Sequence, residues 1–511
     1  MKDHPDINDT LLTEGEAAVL ARHDKAPKYG ELHDGKGSGK ALGKNFTDRK
    51  HHDKTGNGHD TEPPIEDARP PAFSDEALAL RFTDRHGGGL RYVAAWGRWL
   101  LWDGTRWLFD ETLYAYDLAR KISRQASAEC NKGKFASAIA AAKTVAAIER
   151  LAKADRRHAA TVDQWDADIW LCNTPGGVID LRSGDMRPNK PDDYMTRITG
   201  VTPDASCPIL LWCAFLERVA GGDTELIAFL KRLAGYALTG ATSEHALAFL
   251  YGTGANGKST FLNAITRCAG DYHRTAPIET FTASNTDRHP TDLAGLRGAR
   301  LVTSIETDEG RRWAESKIKA LTGGDKIAAR HMRQDIFEYV PQFKLIIAGN
   351  HKPGLRSVDE AIRRRFHLVP FTVTIPPEER DHELDQKLRA ELPGILAWMI
   401  EGCLEWQRIG LAPPNAVTDA TAAYLAGEDA IAAWIEDECQ IDSQAWEKIG
   451  DLYASWKIWA DRSGEYAGSV KRFSQNLEAR DFVVPHRKKA GRGFVGLRIN
   501  LLAPSHWTER G

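Results

Sequence analysis

Gly252, Gly257, Lys258 and Ser259 stand in the order G-x-x-x-x-G-K-S, a spacing suited to cradling a phosphate chain. Glycines let successive backbone N–H groups turn toward an anion. A lysine at this place reaches the β- and γ-phosphates, and the serine hydroxyl is a ligand for Mg²⁺. Chance places the pattern in a chain of 511 residues on the order of once in fifty to a hundred sequences. Its flanks point the same way. The run 245–251 (HALAFLY) reads as a buried strand, and 259–268 carries apolar residues at Phe261, Leu262, Ile265 and Cys268, a helical spacing stopped by Gly270. The whole loop, Gly252, Thr253, Gly254, Ala255, Asn256, Gly257, Lys258, Ser259 and Thr260, is therefore the expected seat of ATP with Mg²⁺.

Hydrolysis needs more than a cradle: an acid to hold the metal or orient water, and a cation to steady charge on the departing phosphate. The apolar run 300–305 ends in Glu306, with Asp308 and Glu309 just behind it. Another, 343–349, ends in Asn350. An acid and an amide at the C-terminal tips of buried strands are what a parallel sheet presents at its ligand edge. Arg363, Arg364 and Arg365 follow in a helix-like stretch and supply the cation. A second glycine–lysine run, 35–40, fails the pattern, because Ala41 replaces the hydroxyl residue and no strand precedes it.

The elements around these motifs define four regions. Residues 1–73 are polar and rich in His, Asp, Lys, Gly and Pro, so they are expected to be a disordered tail with one short helical candidate at 11–22. His51, His52 and His59 lack a fixed metal-ligand spacing and read as solvated. Residues 74–205 are expected to form a smaller α+β domain: a helix at 75–83, a β-meander through LRYVAAWGRWLLWDGTRWLFD, a helical stretch at 113–155 and two strands around Ser183–Gly184. Its tryptophans 96, 99, 102 and 107 suit a small core better than base stacking. A linker at 203–208 leads to an α/β core over 206–405, and 406–511 reads as helical with a closing helix and basic hairpin, like half of a winged helix. Eight Lys and Arg side chains between 470 and 498 face only Glu478 and Asp481, the footprint of a phosphate-backbone contact centred on Lys488 and Lys489. The alternative is a solvated basic turn.

The seven cysteines show no C-x-x-C pairing, so neither a disulfide framework nor a zinc site is indicated. No apolar stretch is long enough for a membrane span and the N-terminus does not resemble a signal peptide, which makes a cytoplasmic protein the expectation.

Read together, GTGANGKS, SIETDEG, ALTGGDKIAARHMRQDIFEYVPQFK, LIIAGNHKP and DEAIRRRFHLVPF resemble the superfamily 3 helicases, and among them the primase-helicases of satellite phages, prophages, plasmids and poxviruses. The likeness is specific over about 209–400, and weaker matches carry it back to about residue 85. It implies a P-loop motor of the AAA+ type with catalytic Lys258, Glu306, Asp308, Asn350, Arg364 and Arg365. Ser259 and Glu306 would hold Mg²⁺, and Thr307 interrupts the usual pair of adjacent acids, so Glu306, Asp308 and Glu309 remain alternatives for polarising water. It also implies a channel hairpin over 322–343, whose Lys326, Arg330, His331 and Arg333 would meet single-stranded DNA. A homo-hexameric ring, 3′ to 5′ movement, duplex unwinding in replication of a phage, prophage or plasmid in a bacterial host, and a separate primase or replication initiator as partner follow from the same resemblance. The segment ahead of the core is too small for a primase fold, so no primer synthesis is expected of this chain. Two other readings remain open: a nucleotide-switched origin-binding or scaffold ring, and another P-loop phosphotransferase.

Overall fold

The computed structural model describes residues 70–500 except 284–290, 307–310, 331–334, 356–357, 466, 479 and 481. The tail with its histidines, its helical candidate and its glycine–lysine run lies outside the described residues, as do Asp308, Glu309, His331 and Arg333.

The first described helix, Asp75–His86, begins where the Ser74 hydroxyl accepts the Ala77 N–H at 3.2 Å. The expected meander follows as β1 (Leu90–Val93), β2 (Arg98–Trp102) and β3 (Trp107–Phe109), antiparallel neighbours, and β4 (Ala159–Ala160) joins β1 in parallel. The alanine-rich stretch divides into helices Tyr114–Glu129, Gly133–Ile139 and Ala142–Ala152. Trp99 is buried beneath them, while Trp107 is buried in a second small core with Val93, Leu100 and Trp165, against which Trp96 and Trp102 pack. The tryptophans are core residues.

Between 171 and 187 lie β5 (Leu171–Thr174), β6 (Gly177–Asp180) and β7 (Met186–Arg187); the last two flank Ser183–Gly184 as expected. Cys172, Ile179 and Leu181 share one buried cluster with Trp212, Phe261 and Trp406, so apolar packing runs across position 205. The stretch 203–208 is also tied down. Asp204 N–H donates to the Pro393 carbonyl at 3.0 Å, and the N–H groups of Leu211 and Trp212 donate to the Glu391 carboxylate.

The central sheet contains β8 (Leu247–Tyr251), β9 (His273–Thr275) and β10 (Leu301–Glu306). After a separate antiparallel hairpin, β11 (Ile327–Arg330) with β12 (Ile336–Tyr339), it is completed by β13 (Lys344–Gly349) and β14 (Phe366–Pro370). All five strands are parallel, in the order β14-β8-β13-β10-β9. Alternate residues enter two different cores: Ala248, Leu250, Ile346 and Ala348 face one, Leu247, Phe249, Leu345 and Ile347 the other. Burial on both faces explains why these strands read as unbroken apolar runs.

This burial also takes in ionisable groups. Desolvation lowers the pKa of His367, on β14, to about 4; the same cause, with the Arg274 charge, brings His273, on β9, to about 4. Both rings are therefore neutral in the fold, whereas in the unfolded chain they take up protons as pH falls below about 6.5. Stability held above pH 6.5 is accordingly lost toward pH 4, by at most about 1.4 kcal/mol per pH unit for each ring. Urea unfolding at pH 7.0, 5.5 and 4.5 should show this decline. The double variant His273→Gln/His367→Gln should flatten it, and an unchanged slope would assign the acid sensitivity elsewhere.

After helices Leu392–Ile409 and Asn415–Gly427 the chain builds a C-terminal module from helix Ala430–Glu438, β15 (Cys439–Lys448), helices Ile449–Ser463 and Val470–Glu478, then β16 (Val484–Lys488) and β17 (Gly491–Ile499). Its sheet is antiparallel in the order β15-β17-β16, over a core of Trp434, Trp456, Phe473, Phe494 and Leu497. The basic hairpin is present as expected. β15 was not anticipated, for its sequence is largely polar and a bulge interrupts its register between Asp442 and Trp446.

Candidate functional site

The parallel register sets one row of residues across the C-terminal edge of the central sheet. Glu306 pairs with Gly349, Gly349 with Tyr251, and Tyr251 with Pro370. Gly252 and Asn350 are each the next residue beyond that row. Strands lie about 4.8 Å apart, so the backbone of Glu306 is about 10 Å from that of Tyr251. The glycine loop, the amide and one carboxylate residue, far apart in sequence, thus leave the sheet at one edge.

From Tyr251 the chain curls through residues with left-handed backbone, Gly254 (φ 106°), Ala255 (φ 49°) and Gly257 (φ 84°), into helix Lys258–Ala269. Ala255 is the one that holds this conformation with a side chain, at a cost of roughly 1 kcal/mol. Two glycines are required by space as well. A Cβ on Gly252 would come within 2.1 Å of the Phe371 carbonyl oxygen, and one on Gly257 within 2.5 Å of Val219. The extension of β14 braces the curl: Phe371 N–H donates to the Tyr251 carbonyl and Ile375 N–H to the Ala255 carbonyl, both at 2.8 Å. The loop ends at a helix N-terminus, where free N–H groups and the helix dipole favour an anion.

Lys258 occupies the first turn and is buried, 7% exposed. Its ammonium donates to the Gly252 carbonyl at 2.7 Å, to Asn256 Oδ1 at 2.9 Å and to Asn350 Oδ1 at 3.2 Å. All three are neutral oxygens, and burial lowers its pKa from the usual lysine value. Asn256 is itself buried, and its Nδ2 has no hydrogen-bond partner among the described residues. Ser259 is exposed in the same helical turn and Thr260 is half-buried. The arrangement is a desolvated cation with only neutral partners, set at a positive helix end: chemistry that attracts a polyphosphate.

The structure brings Lys258 and Asn350 into direct contact and puts the backbone of Glu306 at the same edge. It separates the arginines. Arg364 is exposed, whereas Arg365, expected beside it as a second free cation, is buried, with its Nε donating to Thr322 Oγ1 at 3.2 Å and a terminal nitrogen to the Ala361 carbonyl at 2.8 Å. Arg363 lies 3.8 Å from the Asp429 carboxylate. Thr322 ends the helix before the β11–β12 hairpin, so Arg365 pins that hairpin's root. On the hairpin Lys326 is exposed and Arg330 half-buried. Lys488 and Lys489, at the β16–β17 turn, are exposed, and the Lys488 ammonium lies 5.0 Å from the Trp446 ring centre.

One residue near the loop was missed. Lys352, two positions beyond Asn350, places its ammonium 4.3 Å from the centre of the Tyr251 ring, directly before Gly252. Its position after a strand tip was the available signal. Among the described residues no helix is long and apolar enough to cross a membrane.

The profile described as D5 N terminal like matches residues 79–221, and that described as a family of unknown function (DUF5906) matches 250–365. The helicase-named protein L207/L206 of Acanthamoeba polyphaga mimivirus is 25% identical over 322 residues, covering 58% of this chain and 33% of the relative. The helicase-named protein 022R of Frog virus 3 (isolate Goorha) is 26% identical over 294 residues, 53% of this chain and 30% of the relative. The chain thus spans about a third of the length of these curated relatives. Among solved structures, the apo NrS-1 C terminal region is 10% identical with a TM-score of 0.44, covering 83% of this chain and 99% of that one.

Proposed function

We propose that this chain, which belongs to the D5-like primase-helicase family of phages and viruses, is an ATP-driven motor that moves along single-stranded DNA and unwinds duplex. The observation that carries the reading is the contact of buried Lys258 with Asn350 across two neighbouring strand tips, at the end of the glycine loop. In this reading the loop is a phosphate loop. Lys258 exchanges its neutral oxygens for β- and γ-phosphate oxygens, which restores the charged form that burial disfavours. Asn350, released from Lys258, is free to donate its amide N–H groups to the γ-phosphate, and so reports whether that phosphate is present.

Ser259 Oγ and the Glu306 carboxylate are hard oxygen donors of the kind Mg²⁺ accepts, and bound Mg²⁺ would neutralise charge developing between the phosphates. Glu306, at the edge of β10, is the proposed acid for orienting water, with Asp308 as its alternative. Exposed Arg364 is proposed to enter the site of a neighbouring copy, which calls for a closed ring, a homo-hexamer by the resemblance. Lys326 and Arg330 on the β11–β12 hairpin, with His331 and Arg333 in the same segment, would follow the phosphates of the enclosed strand. The C-terminal module, with its basic hairpin at Lys488 and Lys489, reads as a winged helix that meets duplex DNA; a separate primase or replication initiator is the proposed protein partner.

The test is ATP hydrolysis with and without oligothymidylate, together with strand displacement from a 3′-tailed duplex. A rise of tenfold or more with DNA, and displacement that requires ATP, are expected. Hydrolysis indifferent to DNA, with no displacement, would favour a ring in which nucleotide sets assembly alone.

A further inference from the structure

The aromatic side chain most exposed among the described phenylalanines, tyrosines and tryptophans belongs to neither the loop nor the hairpins. Phe135 is 64% exposed, in the short helix Gly133–Ile139, while the tryptophans of the same region are buried or partly buried. Cations lie before and after it in sequence: Lys132 and Lys134 just ahead of it, and Lys143 at the start of the next helix, all exposed. The Lys132 ammonium lies 5.9 Å from the Phe135 ring centre. No Asp or Glu occurs from 130 to 148.

Nearby acids on the flanking helices already have partners. Asp117 pairs with Lys121 at 3.0 Å, Glu129 with Arg81 at 2.6 Å, and Glu149 with Lys153 and the Trp99 indole, both at 2.7 Å. The patch therefore keeps its positive charge.

The patch is also held rigidly. Ser123 Oγ donates to the Ile139 carbonyl at 2.6 Å and Ser127 Oγ to the Ala136 carbonyl at 2.7 Å, fastening the short helix to Tyr114–Glu129. Thr144 Oγ1 donates to the Ala138 carbonyl at 3.1 Å, fastening it to the helix that follows. Apart from buried Ile139, the residues from 136 to 142 are small, Ala136, Ser137, Ala138 and then three alanines at 140–142. An exposed ring on a fixed base, with flexible cations and no acids, fits one ligand chemistry: an unpaired base that stacks, with phosphates on each side for the lysines.

We propose that Phe135, Lys132, Lys134 and Lys143 form a contact for single-stranded DNA separate from the β11–β12 and β16–β17 hairpins. It goes beyond the motor reading and does not depend on nucleotide, so it is tested without any. Fluorescence anisotropy of labelled dT30 and of a 30-base-pair duplex would be measured with the full chain across a salt series. Phe135→Ala is expected to weaken dT30 binding about tenfold and to leave the duplex nearly unaffected, whereas Phe135→Tyr keeps wild-type affinity. The pair Lys132→Gln/Lys134→Gln should lower the slope of log affinity against log salt by about 1.4. Thermal midpoints of all variants should match wild type, because these side chains are exposed. Unchanged dT30 affinity in both Phe135→Ala and the lysine pair would overturn the proposal. So would a fall in Phe135→Ala sedimentation mass without DNA, which would make the patch a contact between copies of the chain.

Discussion

Lys258→Ala should lower ATP hydrolysis about 10²- to 10³-fold while leaving the fold as stable as before, or slightly more so. The two halves of this expectation have one cause. The ammonium is buried against three neutral oxygens, and burial lowers its pKa, so in the free chain its charge costs stability. Alanine removes that cost, and the Gly252 carbonyl, Asn256 Oδ1 and Asn350 Oδ1 are left to accept from water at an edge where Asn350 is exposed. A phosphate chain reverses the balance, since it supplies the negative charge that the site lacks. The measurement is kcat/KM for ATP beside binding of a fluorescent ATP analogue and the thermal midpoint. Hydrolysis within tenfold of wild type would remove the loop from the chemistry, and a midpoint lowered by several degrees would make Lys258 a structural residue.

How much of this was legible depends on the distance over which each feature is determined. The glycine loop, β8 before it and the helix after it are local patterns, and they lie where the spacing puts them. β10 and β13 were legible because strands buried on both faces are unbroken apolar runs. Their side-by-side register was not, since nothing local in Glu306, Gly349 or Tyr251 specifies a partner; only the assembled sheet sets them in one row. The same limit applies to Arg364 and Arg365. Identical side chains one residue apart differ because Thr322, more than forty positions earlier, ends its helix within reach of one of them. β15 was hidden for another reason: a strand with one face in solvent and a bulge in its middle shows little alternation. Packing across position 205 likewise needs the partners of Cys172 and Leu181, which lie in helices that follow it.

The two arginines offer the sharpest separation of structure from activity. Arg365→Ala leaves the Thr322 hydroxyl and the Ala361 carbonyl without their charged donor inside the protein, and should destabilise it by about 1.5–3 kcal/mol. Arg364→Ala removes an exposed side chain and should leave the thermal midpoint unchanged. If its guanidinium steadies phosphate charge in a neighbour's site, hydrolysis should nevertheless fall about 10³-fold or more. Mixing supplies the decisive control, because the phosphate loop and the arginine of one working site then belong to different copies. An Arg364→Ala copy keeps an intact loop, and a Lys258→Ala copy keeps an intact arginine. The two inactive proteins combined should regain measurable hydrolysis, which neither regains when more of the same variant is added. Persistent inactivity under conditions where subunits exchange would mean that Arg364 acts within its own chain, and full activity of Arg364→Ala alone would remove it from the site.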